Sequence, residues 1–281
     1  MKILIIQENG HHDKNRNFRE CFCLQRGFEH HGAKVDIWGK GHDGFDPSPD
    51  QRMYDQYFSH FDLVLAIENW DWMPDINRIH TNKFIWAIDA HCKSKQVYEQ
   101  YGFDKVLHAT PEFASEGCWL PNAYDDTIIK PLQNSYYKRL NIGFCGNKVN
   151  RGEFIKFLGK HFGSNFRHDE MVIGDDMVRA INSYKVHWNM NIGMDINYRN
   201  FETMGCQTCL LTSTNKHYKE LGFIDGENCL VWSSPEEIKS LAEYAIGNDK
   251  KRESIAVAGY ELVKEKHTYK HRAHRILEMI K

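Results

Sequence analysis

Residues Asn197-Tyr198-Arg199-Asn200-Phe201-Glu202-Thr203-Met204-Gly205-Cys206-Gln207-Thr208-Cys209-Leu210-Leu211-Thr212 carry the reading on which the fold turns. A glutamate opens a short helix, Gly205 closes it, and the apolar strand Thr208–Leu211 follows at once. That order sets the Glu202 carboxylate at a helix N-terminus beside the crevice of an α/β sheet, where nucleotides commonly bind. Two readings are open. Glu202 is a ligand for a ribose, or it is an acid that suits a helix start, with Arg199 three residues earlier as its partner. Gly205, which permits close backbone approach, and the strand behind it separate the two, and the segment alone leaves them level.

Outward from this stretch the chain alternates strand and helix patterns. In the first half, Lys2–Ile6 is a short apolar strand, and Asn17–His31 carries Phe18, Cys21, Phe22, Leu24 and Phe28 at helical spacing. Gly32 ends that helix and Val35–Trp38 is the next strand, followed by apolar runs at Leu63–Ile67, Phe84–Ile88 and Val106–Ala109. Repeated strand, helix, strand predicts a parallel, doubly wound sheet. Leu120-Pro121-Asn122-Ala123-Tyr124 through Lys130-Pro131 is an irregular connector. A second α/β series follows, with strands at Leu140–Cys145, Lys185–Ile192, Thr208–Leu211 and Cys229–Trp232 and a helix over Glu153–Phe162. Ser234-Pro235-Glu236-Glu237 is a capping box with proline at the first helical position, and Ile238, Leu241, Ala242 and Ala245 mark the apolar face behind it. The chain ends on a basic amphipathic helix with Tyr269, Ala273, Ile276 and Ile280 on one face and Lys270, Arg272 and Arg275 on another. The expectation is two Rossmann-like doubly wound domains, 1–135 and 136–281, facing across a cleft, with the terminal helix available to pack back on the first.

Composition narrows the function classes. A formal net charge of −2 over 281 residues gives no general attraction to nucleic acid or acidic membranes, so duplex binding needs a local basic patch. No apolar run has membrane-span length, and Met1-Lys2-Ile3-Leu4-Ile5-Ile6 runs directly into polar residues, as a first strand does and a signal peptide does not. The eight cysteines lie mostly inside apolar segments, which reads as reduced, buried thiols in a cytoplasmic protein.

The turn Gly146-Asn147-Lys148-Val149-Asn150-Arg151 follows the strand Leu140–Cys145 and precedes a helix. Its backbone N–H groups, with Lys148 and Arg151 beside them, suit a diphosphate. Taken alone it reads more simply as a surface turn with two solvated cations, because it lacks P-loop or dinucleotide-fingerprint spacing. In the first half, Glu8-Asn9-Gly10-His11-His12-Asp13 and Asp89-Ala90-His91 both follow strands, where ligands gather. A general base poised near neutrality is sought among His11, His12, His91 and an Asp89 of raised pKa. Each histidine also reads as a solvated loop residue, and Asp89 ranks first because Trp86-Ala87-Ile88 buries the approach to it. Trp70-Asp71-Trp72-Met73-Pro74 reads equally as a sugar-stacking lip and as a packed loop. Cys206-x-x-Cys209 has redox or zinc spacing without a second pair, so a structural role is expected and no metal site is read.

Together these blocks resemble the donor site of GT-B glycosyltransferases, especially the spore-maturation (CgeB-like) branch. The resemblance rests on Arg199-x-Phe201-Glu202-x-x-Gly205 with Leu210-Leu211-Thr212, on Glu227-Asn228-Cys229-Leu230-Val231-Trp232, and on Lys266-His267-Thr268-Tyr269-x-x-Arg272. It extends to the Gly146-Asn147-x-x-x-Arg151 turn and the Leu120-Pro121-Asn122-Ala123 connector, so it covers the second half well and the first half in outline. It implies a hexosyl- or pentosyltransferase that takes its sugar from a nucleotide-diphosphate donor and uses no cofactor or metal. Glu202 is then expected to hydrogen-bond the ribose. Gly146, Asn147, Lys148 and Arg151 would face the diphosphate, and Arg199, Phe201 and Thr203 would lie near the nucleotide. Similar family members end the strand before Asp89 with an acid. One departure is plain. Many retaining GT-B enzymes carry a glutamate eight positions before the ribose-binding one, where this chain has Met194 with Asp195 beside it, so the stereochemical outcome is not carried over.

The acceptor is a hydroxyl-bearing molecule that the residues do not name. A second reading is a glycosyltransferase acting on modified DNA bases, as some phage enzymes of this architecture do. Its support is the basic run Lys264, Lys266, Lys270, His271, Arg272, His274 and Arg275. A third is a non-catalytic nucleotide-binding module of the same fold.

Overall fold

The computed structural model describes residues 1–10, 12–46, 50–68, 71–90, 98, 102–132 and 140–280. The chain forms two compact units, one of Met1–Asn122 with Tyr269–Lys281 and one of Ala123–Thr268. The change of unit falls between Asn122 and Ala123, ahead of the 135/136 boundary read from the sequence.

The first unit is built on β1 (Lys2–Ile6), β2 (Lys34–Trp38), β3 (Leu63–Ile67), β4 (Asn82–Ala87) and β5 (Lys105–His108). They form one parallel sheet in the order β2-β1-β3-β4-β5. All five residues of β3 are buried, as a central strand covered on both faces requires. Helix α1 (Glu20–His30) begins later than its apolar spacing suggests, because Asp13–Phe18 winds into a 3-10 helix first. Gln7, just past β1, holds the start of α1. Its Oε1 accepts from the Cys21 N–H at 2.8 Å and its Nε2 donates to Glu20 at 2.8 Å. Helix α2 (Gln51–Phe58) follows β2, with the Asp50 carboxylate accepting from the Arg52 N–H as its cap.

The terminal helix Tyr269–Leu277 packs on α1 in this same unit. Contact is close at Gly27, where an added Cβ would lie 2.7 Å from the Tyr269 carbonyl oxygen. Arg272, placed by sequence on the basic outer face, turns inward. It is 6% exposed, donating from Nε to the Pro121 carbonyl at 2.6 Å and from Nη2 to the Asn122 carbonyl at 2.9 Å. Among the described residues no helix is long and apolar enough to cross a membrane.

The second unit carries β6 (Leu140–Cys145), β7 (Phe166–Asp169), β8 (Tyr184–Asn189), β9 (Cys209–Ser213) and β10 (Leu230–Trp232), again parallel, in the order β10-β9-β8-β6-β7. Its helices are α3 (Gly152–Phe162), α4 (Asp175–Ser183), α5 (Tyr198–Gly205), α6 (Pro235–Gly247) and α7 (Asp249–Lys266). The Ser234–Glu237 capping box forms as read. The edge strand β7, Phe-Arg-His-Asp, has one apolar residue and no periodicity to announce it. Each sheet has one switch point, where successive connections leave in opposite directions: between β1 and β3 in the first unit and between β6 and β8 in the second. Open α/β sheets bind ligands at the carboxyl ends of such strands.

Gly27→Ala should destabilise the protein by about 1–3 kcal/mol, because a methyl group there meets backbone and not a yielding side chain. The check is the urea midpoint of the variant against the parent.

Candidate functional site

The second unit's switch point opens because the β6–β8 ladder stops early. Registered pairing ends at Gly143 with His187, while on its other side β6 stays paired to β7 through Cys145 with Asp169. Side chains take over the peptide groups that the ladder releases. The Cys145 N–H donates to His187 Nε2 at 3.0 Å, and its carbonyl accepts from Arg199 Nε at 2.7 Å. Since His187 Nε2 accepts, its Nδ1 carries the proton and donates to Thr203 Oγ1. Both His187 and Thr203 are wholly buried, so Thr203 is an anchor for α5 and not a surface ligand.

One side of this opening is the Gly146–Arg151 turn. Gly146 donates its N–H to the Asp169 carbonyl and accepts from His168 Nε2 at 2.9 Å. Asn147 is exposed, and its Oδ1 accepts from the Val149 N–H at 2.8 Å, which shapes the turn. Lys148 is 66% exposed and pairs with Glu170 at 3.3 Å. Arg151 differs from both: it is 8% exposed and lies over the Phe144 ring. Nε and Nη2 donate to the Met190 carbonyl at 3.2 and 2.7 Å, and Nη1 donates to the Asn147 carbonyl at 3.3 Å. No carboxylate among the described residues pairs with it. Burial and then the nearby Arg199 pull its pKa down, with Asp195 opposing, though a guanidinium stays charged. Three of its five N–H groups are spent on carbonyls, which fix its direction and give it no ion pair.

The other side is α5. The helix begins at Tyr198, so Glu202 sits in its second turn and the first turn holds no acid. The expected placement of Glu202 at the helix N-terminus is therefore corrected, and the macrodipole does not explain it. Arg199 does pair with Glu202 Oε2, one turn apart on the same face. Burial lowers the Arg199 pKa, but the Glu202 carboxylate together with Cys145 and Cys206 turns the net shift upward. Only Oε2 is engaged; Oε1 accepts from no described group and the side chain is 13% exposed. Phe201 is wholly buried against Phe223 and His267, which puts its ring in the core and not beside a ligand. Gly205 makes its close approach to the Tyr124 ring, where an added Cβ would lie 2.5 Å away.

In the first unit, Asp89 follows β4 and its side chain is exposed, so burial is not what would make it basic. His11 and His91 lie outside the described residues, as does Trp70, and His12 is exposed. Trp72 packs on Trp38 and Phe45, and Met73 is buried beside them, so that part of the aromatic cluster is core. Glu68 was not anticipated. It stands at the carboxyl end of β3, beside the switch point, is 5% exposed, and has a left-handed backbone at φ 61°. Its Oε1 accepts from the Ile88 and Asp89 N–H groups at 2.5 and 2.7 Å, and its Oε2 accepts from the Tyr98 hydroxyl at 3.1 Å. A non-glycine residue held in this conformation costs about 1–3 kcal/mol, and such strain clusters at functional sites. A lone glutamate after an apolar strand gives no sequence signal for any of this.

Cys206 and Cys209 are buried free thiols, as are Cys21, Cys23, Cys145 and Cys229. Burial pushes the Cys145 thiol up to about 11.

A family model described as glycosyl transferase-like matches residues 127–278, more than half of the chain. No curated protein matches it. Among solved structures the chain is similar to HepE of Anabaena, solved with UDP and glucose, at TM-score 0.68 and 11% identity over 99% of this chain and 98% of that one. It is similar to an alpha-glucosyltransferase solved with UDP and a 13-mer DNA containing an HMU base, at TM-score 0.66 and 9% identity over 100% and 99% of the two chains. Sucrose-phosphate synthase from Thermosynechococcus elongatus aligns at TM-score 0.63 and 12% identity over 99% and 98%. At such identities these structures establish the fold, two parallel five-stranded sheets with flanking helices. The chain belongs to the glycosyl transferase-like family and has the GT-B fold.

Proposed function

We propose that this protein moves a sugar from a nucleotide-diphosphate donor to a hydroxyl group of an acceptor, without a metal ion. The observation that carries the reading is Arg151, a buried guanidinium at the switch point of the second unit with no carboxylate against it. An unpaired charge out of water is costly, and a bound anion is what offsets that cost. In the transfer, the acceptor oxygen bonds to the anomeric carbon while the bond from that carbon to the diphosphate oxygen breaks. The negative charge then grows on the departing diphosphate, where a fixed cation stabilises it most. Lys148 adds a solvated charge at the rim. Glu202 offers Oε1 to a ribose hydroxyl while Arg199 holds Oε2.

The two UDP-bound neighbours support uridine as the first donor base to test. The Arg199–Gly205 block supports placement on the CgeB-like branch, and the buried free thiols support a reducing, cytoplasmic setting. Asp89 is the group in the first unit that we assign to take the acceptor proton. Glu68 fixes the peptide on which Asp89 stands.

Glu202→Ala should weaken nucleoside diphosphate binding about tenfold or more, as loss of a hydrogen bond to a charged group does. It should also cost about 1–2 kcal/mol of stability by leaving the half-buried Arg199 without its partner. Adding Arg199→Met should recover part of the stability and none of the affinity. Calorimetry with the four nucleoside diphosphates and thermal unfolding measure the two effects, and undiminished binding by Glu202→Ala would overturn the ribose assignment.

Asp89→Asn should slow acceptor-dependent release of nucleoside diphosphate about 100-fold while leaving the nucleotide Kd unchanged. Unchanged turnover would remove Asp89 from this role. Glu68→Ala leaves the Ile88 and Asp89 N–H groups without their acceptor and should cost about 1–3 kcal/mol, read from chemical denaturation.

A further inference from the structure

Beneath the donor-side residues lies a polar network that the mechanism above does not use. Asn189, at the end of β8, donates from Nδ2 to Asn197 Oδ1 and Asn200 Oδ1, each at 3.2 Å. Asn200 donates to Asn191 Oδ1 at 2.8 Å and accepts from the Thr212 hydroxyl at 2.8 Å. Asn191 donates from Nδ2 to the Tyr218 hydroxyl at 2.7 Å, and that hydroxyl donates to the Ser213 carbonyl at 2.9 Å. Asn189, Asn200 and Thr212 are wholly buried; Asn191 and Tyr218 are 7% and 5% exposed. Three buried asparagines near Trp188, Leu211 and Trp232 are expensive unless hydrogen-bonded, and of their side-chain groups Asn189 Oδ1 is left without a partner among the described residues.

The network reaches the site at one atom. Asn197 Nδ2 donates to the Met190 carbonyl at 3.1 Å, and this is the carbonyl that accepts from Arg151 Nε and Nη2. The Met190–Asn197 loop has no ladder partner to hold it. Its anchors include Asn197 on Met190, the Asn197 N–H on Asn191 Oδ1 at 3.4 Å, the Asn191 N–H on Ser213 Oγ at 2.9 Å, and Asn215 Nδ2 on the Met194 carbonyl at 3.1 Å. Arg151 thus takes its direction from a carbonyl whose own position is set by asparagine side chains from β8, the following loop and α5.

We infer that Asn189, Asn191, Asn197 and Asn200 are positioning residues for Arg151. They hold the Met190 carbonyl so that the guanidinium faces the donor diphosphate and not the loop. The inference rests on the donor reading above. It assigns the asparagines to the diphosphate part of binding alone, since neither the Arg199–Glu202 pair nor Glu202 Oε1 is hydrogen-bonded to the network.

The test compares nucleoside diphosphates with their parent nucleosides. The 5′-diphosphates of uridine, guanosine, adenosine and cytidine are titrated into the full chain by calorimetry, and the tightest is carried forward with its nucleoside measured by competition. Asn197→Ala should lower affinity for the diphosphate about tenfold and leave affinity for the nucleoside unchanged. Arg151→Ala should do the same, and the double variant should lose little more than Arg151→Ala alone, because the two side chains act through one contact. Asn197→Ser, which keeps a residue suited to the cap of α5, replaces Asn197→Ala should the latter not fold. Equal losses for diphosphate and nucleoside mean general loosening and overturn the inference, as do additive losses in the double variant. If the unmodified protein binds no nucleoside diphosphate more tightly than its nucleoside, the donor reading itself fails and the inference falls with it.

Discussion

The candidate site of the second unit depends on the early end of the ladder between β6 and β8. Parallel strands pair by main-chain groups at even spacing, and a ladder that continued past Gly143 and His187 would close the carboxyl edge of the sheet. Instead the Cys145 peptide is held by the His187 ring and the Arg199 guanidinium. These side chains replace the ladder's main-chain partners beside Arg151, Arg199 and Glu202. The buried peptide stays satisfied while the opening is kept.

The charges at this opening are unequal by construction. Arg199 and Glu202 pair on one helix face, which neutralises both and locks α5 onto β6. Lys148 and Glu170 pair in solvent, where such a bridge contributes little. Arg151 is left as the buried cation held by neutral carbonyls alone. An anion arriving there meets a charge already desolvated and already aimed, which is the arrangement that favours a leaving group over a ground state.

The first unit solves a similar problem by other means. Its sheet has the same strand order, and where the β3–β4 ladder ends the Glu68 carboxylate accepts the Ile88 and Asp89 N–H groups. In both units a side chain completes the main chain beside the switch point, and in both it comes from the strand next to the opening or just beyond it. The left-handed backbone of Glu68 shows that this placement is held against local preference.

Composition and spacing alone determined the two parallel sheets and the capped helix at Ser234, because buried strands and capped helices leave local patterns of apolar and polar residues. The same patterns misplaced Glu202 at a helix start, since the helix begins a turn earlier, at Tyr198, where polar residues bonded to Asn191 of the preceding loop carry no apolar spacing. They put Arg272 on an outer face, although it reaches the Pro121 and Asn122 carbonyls. The resemblance set Phe201 and Thr203 near the nucleotide, and the structure shows both side chains interior; the patterns passed over Glu68 and the asparagine network. Periodicity reports how much of a residue is buried and not what it meets there. Which carbonyl aims Arg151, and which peptide Glu68 holds, were decided only when the tertiary structure brought together strands and loops that share no local signal.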